Sequence, residues 1–337
     1  MPDHGALRAH VLARLAVETY YASTPAERKA VGDDAVGVAQ RSADPSALVA
    51  ALNARRVALW SAAYLDERLE TATEMVAAAE RAGDVEGVLQ GRNWRVADLL
   101  ELGEVDAAVE EVERHEHLAD RLRLPAYQWW GPMWRSTLAI AAGRVAEAER
   151  LIAEFEDVGE RTGDRNALLY GEIQRFVLAM LGLAEPPPMP VDREHDRPAD
   201  YAYRAGFSWY LARLDQADEA RELLAWVASD DFARMADDMN RLAALAEMTQ
   251  AMALLGDATW AAGVHERLAP YADRNIVNAR GAGGYGSAAL HVGLLAALLG
   301  RREEAAAHLA AAVERNAALG ADIWVARARA ALDGLGA

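Results

Sequence analysis

The 337-residue sequence contains no cysteine, which excludes disulfides, thiolate metal sites and a cysteine nucleophile. It has one lysine, Lys29, and that residue lies outside any glycine-rich loop. No Gly-x-x-x-x-Gly-Lys-[Ser/Thr] occurs, so the phosphate-cradling loop of an ATPase is absent. His-Glu-x-x-His and Gly-x-Ser-x-Gly are missing too, which removes the commonest zinc-hydrolase and nucleophile-elbow signatures. Phenylalanine appears four times, and β-branched residues are sparse outside valine. Their scarcity argues against sheet, because those residue types favour strands. Positive charge is in deficit: 35 basic residues face 52 acidic ones, a net charge of −17. A field of that sign opposes a polyanion, so direct nucleic-acid binding is not expected. The longest uncharged stretch, 281–300, carries six glycines and His291. It reads as a buried helix with a glycine-rich approach and not as a membrane span. The opening MPDHGALRAH lacks the charged-then-apolar order of a secretory signal, so a cytoplasmic protein is expected.

What is abundant is alanine, at 76 positions. Alanine is the best helix former, and an all-α protein follows. Internal periodicity organises those helices. Asp44, Asp84 and Asp164 fall in one register of 40, with Leu124 in the remaining place. Arg55, Arg95, Arg135 and Arg175 are 40 apart, as are Gly91, Gly131 and Gly171. Gly103, Gly143 and Gly182 follow at 40 and 39. AERAGDVEGVLQG (79–91) and GERTGDRNALLYG (159–171) align at a shift of 80. Each unit reads as two helices: aspartate at the N-cap, glycine at the left-handed C-cap, and Pro25, Pro45 or Pro125 in a first turn.

Tiling this pattern predicts helix pairs near 5–42, 45–82, 85–122, 125–162, 165–183, 199–229, 237–273 and 283–319, with a capping helix at 321–335. Five prolines between 185 and 198 block helix and ladder alike. The expected organisation is therefore helical repeats over 1–183, a proline-rich linker at 184–198, and further repeats with the cap over 199–337. A 40-residue helical hairpin cannot bury its apolar face alone and must stack on neighbours. The expectation is a right-handed α-solenoid of tetratricopeptide-like (TPR-like) hairpins, its concave groove lined by the first helix of each pair.

The phrases GRNWRVADLLELGEVDAAVEEVE (91–113), AGRVAEAERLIAEFEDVGERTGDRNALLY (142–170), LLGDATWAAGVHERLAPYADRN (254–275) and LHVGLLAALLGRREEAAAHLAAAVERNAALGADIWVARARAAL (290–332) carry a resemblance. From about Asp44 to Leu332 the chain resembles the C-terminal TPR-like region of actinobacterial multidomain regulators, STAND-type ATPases that often end in a LuxR-type DNA-binding domain. The resemblance implies a sensor region that holds an inducer or partner and controls an ATPase. This sequence has neither the ATPase loop nor a helix-turn-helix with a basic recognition helix.

Four arginines recurring on successive first helices would form a column in such a groove. Guanidiniums facing a groove bind carboxylates or phosphates bidentately, so Arg55, Arg95, Arg135 and Arg175 are candidate ligand residues. The alternative is that each pairs with a nearby acid, such as Asp98 three residues after Arg95. Trp94 and Trp134 immediately precede two of those arginines. With Tyr127, Trp130 and Tyr170 they are candidates for aromatic walls around a small anionic or flat ligand, or else they are packing residues. Consecutive Trp129 and Trp130 cannot share one face of a helix, so at least one is expected to face the groove or another chain.

His115 and His117 stand about 200° apart on a helix, which suits no shared metal, and neither metal nor cofactor is expected. GAGGYG (281–286) follows no predicted strand, so it reads as a turn before a helix and not as a dinucleotide loop. Apolar strips on 5–22 and 321–335 would serve a homodimer or simply cap the array. The expected function is a non-enzymatic sensor holding a peptide, protein partner or small effector in the groove, in transcriptional regulation. The alternative is a small-molecule-binding protein or enzyme of a secondary-metabolite pathway on the same scaffold. A closed aromatic cavity holding a carboxylate of raised pKa would favour the alternative, and an evenly open groove the sensor.

Overall fold

The computed structural model describes residues 4–186 and 200–336. Nearly all of the expected proline-rich linker at 184–198 lies outside them. The described chain is all-α apart from one short hairpin. The first helices are α1 (His4–Glu18), α2 (Pro25–Ser42), α3 (Pro45–Ala58), α4 (Leu65–Ala82), α5 (Val85–Leu102) and α6 (Val105–Leu122). Then come α7 (Pro125–Gln128), α8 (Trp130–Ala141), α9 (Val145–Thr162) and α10 (Arg165–Met180). After the undescribed segment follow α11 (Asp200–Arg213), α12 (Ala217–Phe232), α13 (Arg241–Leu255) and α14 (Ala261–Leu268). Strands β1 (Asn275–Asn278) and β2 (Gly283–Ser287) precede α15 (Ala288–Leu298), α16 (Arg302–Ala318) and α17 (Asp322–Gly334).

The helix ends are written in the sequence. The carboxylates of Asp44, Asp84 and Asp164 accept from the backbone N–H of Ala47, Gly87 and Asn166 at 2.9, 2.9 and 3.0 Å. Each satisfies a donor that the first turn leaves open. Thr24 and Glu27 form a reciprocal capping box at the start of α2. Left-handed residues terminate α2, α4, α6 and α9 at Ala43, Gly83, Arg123 and Gly163.

Two compact units emerge. One comprises the residues up to Gly131 together with Asp237–Met239; the other comprises Pro132–Ala236 and the residues from Asn240 onward. The division falls within α8. In the first unit, α1 to α6 each pack on the next. Leu52, Ala72, Met75 and Trp94 are part of a core where α3, α4 and α5 meet. In the second unit α11 packs on α12 and α13, α13 on α14 and α15, and α16 on α15 and α17. Every position of α13 from Leu242 to Met252 is buried, which makes it the central helix of this unit. No helix among the described residues is long and apolar enough to cross a membrane.

The hairpin departs from the sequence reading, which placed a turn at 281–286. β1 and β2 pair antiparallel, Val277 opposite Gly284 and Asn278 opposite Gly283. The glycines have no strand propensity of their own; tertiary hydrogen bonds hold them. Trp134 Nε1 donates to the Arg280 carbonyl at 2.9 Å, and Thr137 Oγ1 donates to the Gly281 carbonyl at 2.7 Å. Gln174 of α10 bridges the same place, donating to Thr137 Oγ1 at 2.9 Å and to the Met133 carbonyl at 2.9 Å. Thus α8 grips the loop that joins the strands, and α10 braces α8 through Gln174.

Candidate functional site

The second unit contains a cavity of about 600 Å³ bounded by three helices and the hairpin. α10 contributes Leu169, Glu172, Ile173 and Phe176, spaced three and four apart on one helical face, with Arg175 at its edge. Asn240, Ala243, Ala244 and Glu247 repeat that spacing at the start of α13. α11 supplies Ala202, Tyr203 and Gly206; the hairpin supplies Asn278 and Tyr285. The walls are mostly apolar, and Phe176 is backed edge-on by Trp209 at 5.0 Å between ring centres.

Glu247 is the chemical centre of this space. It is the only charged residue between Leu242 and Leu255, and only 6% of it is exposed. Its Oε1 accepts from the Tyr285 hydroxyl at 2.7 Å. Its Oε2 accepts no hydrogen bond among the described residues, and a Cβ placed on Gly206 would stand 3.3 Å from it. Burial raises the Glu247 carboxyl to about 8, against a smaller opposing effect of the Tyr285 hydrogen bond. Burial, and then the charge of Glu247, push the Tyr285 phenol well above its ordinary value. Near neutrality the pair therefore holds a protonated carboxyl beside a protonated phenol. Such a carboxyl can donate a hydrogen bond, or release its proton when a positive charge arrives.

The surroundings fix Tyr285 from behind. Gly286 adopts φ +72°, and any Cβ there would strike the Trp324 indole at 2.8 Å, so the position requires glycine on both counts. The Tyr285 carbonyl can only accept, so His291 Nε2 carries the proton of that 2.9 Å bond. Burial holds His291 neutral, at about 4. Its Nδ1 faces the Gln250 amide at 3.4 Å, and Arg327 donates to Gln250 Oε1 at 2.9 Å and to the Met180 carbonyl at 2.7 Å.

Of the residues singled out from the sequence, Arg175 alone lines this cavity. Its guanidinium is held by both oxygens of Glu156, the longer contact being 2.6 Å. Arg55 pairs with Asp33 at 2.6 Å and Glu67 at 3.0 Å, and Arg95 with Glu111 at 3.4 Å. Arg135 is half-buried on α8. Asp98, the expected partner of Arg95, is instead buried against Arg56 and Arg68. Trp94 and Trp134 are fully buried, their indoles donating to Asn53 and to the Arg280 carbonyl. Tyr127 and Tyr170 are half-buried.

The sequence predicts that at least one of Trp129 and Trp130 faces the groove or another chain; in the structure both are buried and stacked on each other at 4.0 Å. Trp129 sits at the break between α7 and α8, so the rule for one continuous helix does not govern the pair. His115 is buried and pushed down to about 3, chiefly by burial and then by the charge of Arg92. No group of three or more metal-ligating side chains gathers among the described residues.

Sequence reasoning missed Glu247, Tyr285, Phe176 and Tyr203. The available signal was a lone acid in the otherwise uncharged run LAALAEMTQAMALL. Neither a family model nor a curated protein matches this chain.

Proposed function

We propose that this chain is a small-molecule-binding module whose ligand sits in the cavity between α10, α11, α13 and the hairpin. The observation that carries the reading is an apolar space of about 600 Å³ with one buried carboxyl at its wall. Ligand sites of drug-sized molecules span about 300–1,000 Å³ with few, placed polar groups. A peptide in an open groove fits this space less well than a compact effector. Consistent with the resemblance to sensor regions of STAND-type regulators, the module would report its ligand to a regulatory partner. In this proposal the helical hairpins are TPR-like repeats of about 40 residues, stacked as a right-handed solenoid.

A thermal-shift comparison tests the reading. Ala202 is half-buried on the cavity wall, so Ala202→Trp fills the space with limited cost to the fold. A library compound at about 100 times its Kd should raise the wild-type Tm by about 2–4 °C and leave the blocked variant unmoved. Compounds that stabilise both proteins equally, with none lost on blocking, would sink it.

A second reading, an enzyme on the same scaffold, is favoured by one feature: a carboxyl raised to about 8 beside a phenol suits general acid–base chemistry. Under it, a ligand found by the screen is converted by wild type and not by Glu247→Gln. Under the binding reading both proteins return the ligand intact.

A further inference from the structure

We propose that the cavity is an amine site: it takes an organic cation with an aromatic or alkyl body, with Glu247 as counter-ion and Phe176 and Tyr203 as walls. This rests on the small-molecule reading above and adds the charge and chemical class of the ligand.

The polar groups of the lining are unevenly matched. Glu247 is buried and lines the cavity, with one oxygen engaged by Tyr285 and the other without a donor among the described residues. A buried carboxylate needs a donor or a positive charge to be stable there. The described residues do not bring one: among them Arg175, the only cation of the lining, spends its guanidinium on both oxygens of Glu156. Glu172 shares the lining, and Glu149 and Glu172 both add to the negative field around Arg175. An anionic ligand would meet the charge of Glu172, and that of Glu247 wherever it ionises, with no uncommitted cation among the described lining residues to receive it.

A cation is favoured at each step. The net charge of −17 draws it toward the molecule. Phe176 and Tyr203 offer ring surface, and an alkylammonium near aromatic faces gains a cation–π attraction that grows as water leaves. At the end of the path Glu247 gives up its carboxyl proton to solvent and becomes the counter-ion, while the Tyr285 hydroxyl keeps donating to Oε1. No covalent bond is made or broken apart from that ionisation. The volume, about 600 Å³, suits an organic body and far exceeds a bare metal ion.

Among the described residues, the charged and titratable groups that line the cavity with Glu247 are Tyr285 on β2, Arg175 and Glu172 on α10 and Tyr203 on α11. Behind Tyr285 stand His291 on α15 and Arg327 on α17. His291 is held at about 4 and Tyr285 is raised well above its ordinary value, so neither changes charge between pH 6 and 8.

Calorimetric titration with benzyltrimethylammonium, whose charge is fixed at every pH, tests the proposal. Neopentylbenzene is its neutral isostere and phenylacetate an anionic analogue. The wild type should bind the quaternary ammonium in preference to both. The association constant should rise roughly tenfold from pH 6 to pH 7, with release of a proton, as expected when binding requires ionisation of a group titrating near 8. Glu247→Gln keeps the shape and should weaken binding at least tenfold and flatten the pH dependence. Ala202→Trp should abolish binding.

No binding of the ammonium, or equal binding by Glu247→Gln, overturns the amine assignment. Binding of phenylacetate or neopentylbenzene in its place, lost in Ala202→Trp, overturns the assignment while the small-molecule reading stands. That reading falls separately, by the screen against the blocked variant.

Discussion

Asp98 shows how far a residue's neighbours in sequence mislead about its partners in space. On α5 it lies one turn from Arg95, and helical spacing pairs the two. In the folded chain it is 1% exposed and accepts from Arg56 Nε and Nη2 at 2.9 and 2.6 Å, with Arg68 Nε at 3.4 Å. Arg68 also reaches Glu101 at 2.5 Å, so two guanidiniums and two carboxylates balance inside the first unit. The rings of Trp60 and Trp94 lie 5.4 and 4.5 Å from the Arg56 guanidinium carbon. The aromatic–cation pairing that the sequence suggested for a ligand is thus satisfied, at Trp94, by the protein's own arginine. Removing one charge from this set leaves another buried and unopposed. Asp98→Asn should therefore cost about 3–5 kcal/mol in urea unfolding, as breaking buried pairs does. A loss below about 1 kcal/mol would mean that water reaches the network. Glu247 is the counterpart in the second unit: one acid in an uncharged run, visible in the sequence as an anomaly, silent there about which aromatic residues surround it.

At the scale of elements, the helices were legible and the hairpin was not. Capping aspartates, first-turn prolines and terminal glycines fixed the predicted ends at 45, 82, 85, 122 and 162, and the helices begin and end there. These signals are local, and the backbone groups they satisfy lie within a few residues. The strand Gly283–Ser287 offers no such signal, since four of the six residues in GAGGYG are glycine. The one available cue was Ile276-Val277, β-branched and flanked by asparagines, just ahead of that run. What makes the segment a strand is distant: Trp134 and Thr137 meet its loop from a helix more than a hundred residues earlier, and Gln174 of α10 donates to Thr137 in turn. The cavity was illegible for the same reason. Its α10 and α13 faces each carry the three–four spacing of ordinary packing residues, and only their meeting leaves a space. Thr137→Val tests the grip. It strands the Gly281 carbonyl and one Gln174 N–H, and should destabilise by about 1–3 kcal/mol. Hydrogen exchange should speed up at Ser287 and its hairpin neighbours more than in α16. Uniform exchange across the second unit would show that the loop is held by other means.

For the whole molecule, acid and alkali act through different buried groups. His115 in the first unit and His291 in the second are held at about 3 and about 4, against an unfolded value of about 6.5. Between those values the unfolded chain binds more protons, so stability falls as pH drops from about 6.5. Glu247 has the opposite sign. Its carboxyl titrates at about 8 when folded and near 4.5 when exposed, so the folded state holds the extra proton in between. Its contribution is complete below pH 4.5 and is lost as pH rises to about 8. Above pH 6.5 the histidines are neutral in both states, and Glu247 acts without their opposition. Stability of the second unit should then decline by about 2 kcal/mol between pH 6.5 and 8, at about 1.4 kcal/mol per pH unit. Self-repulsion from the large negative charge also grows with pH, but it is shared by Glu247→Gln, which lacks the titrating group. Melting curves of the two proteins should therefore diverge on the alkaline side, the variant losing about 4 °C less than wild type over that interval. Parallel curves would mean that Glu247 is already ionised in the empty cavity, and the counter-ion it then requires would have to come from the protein itself.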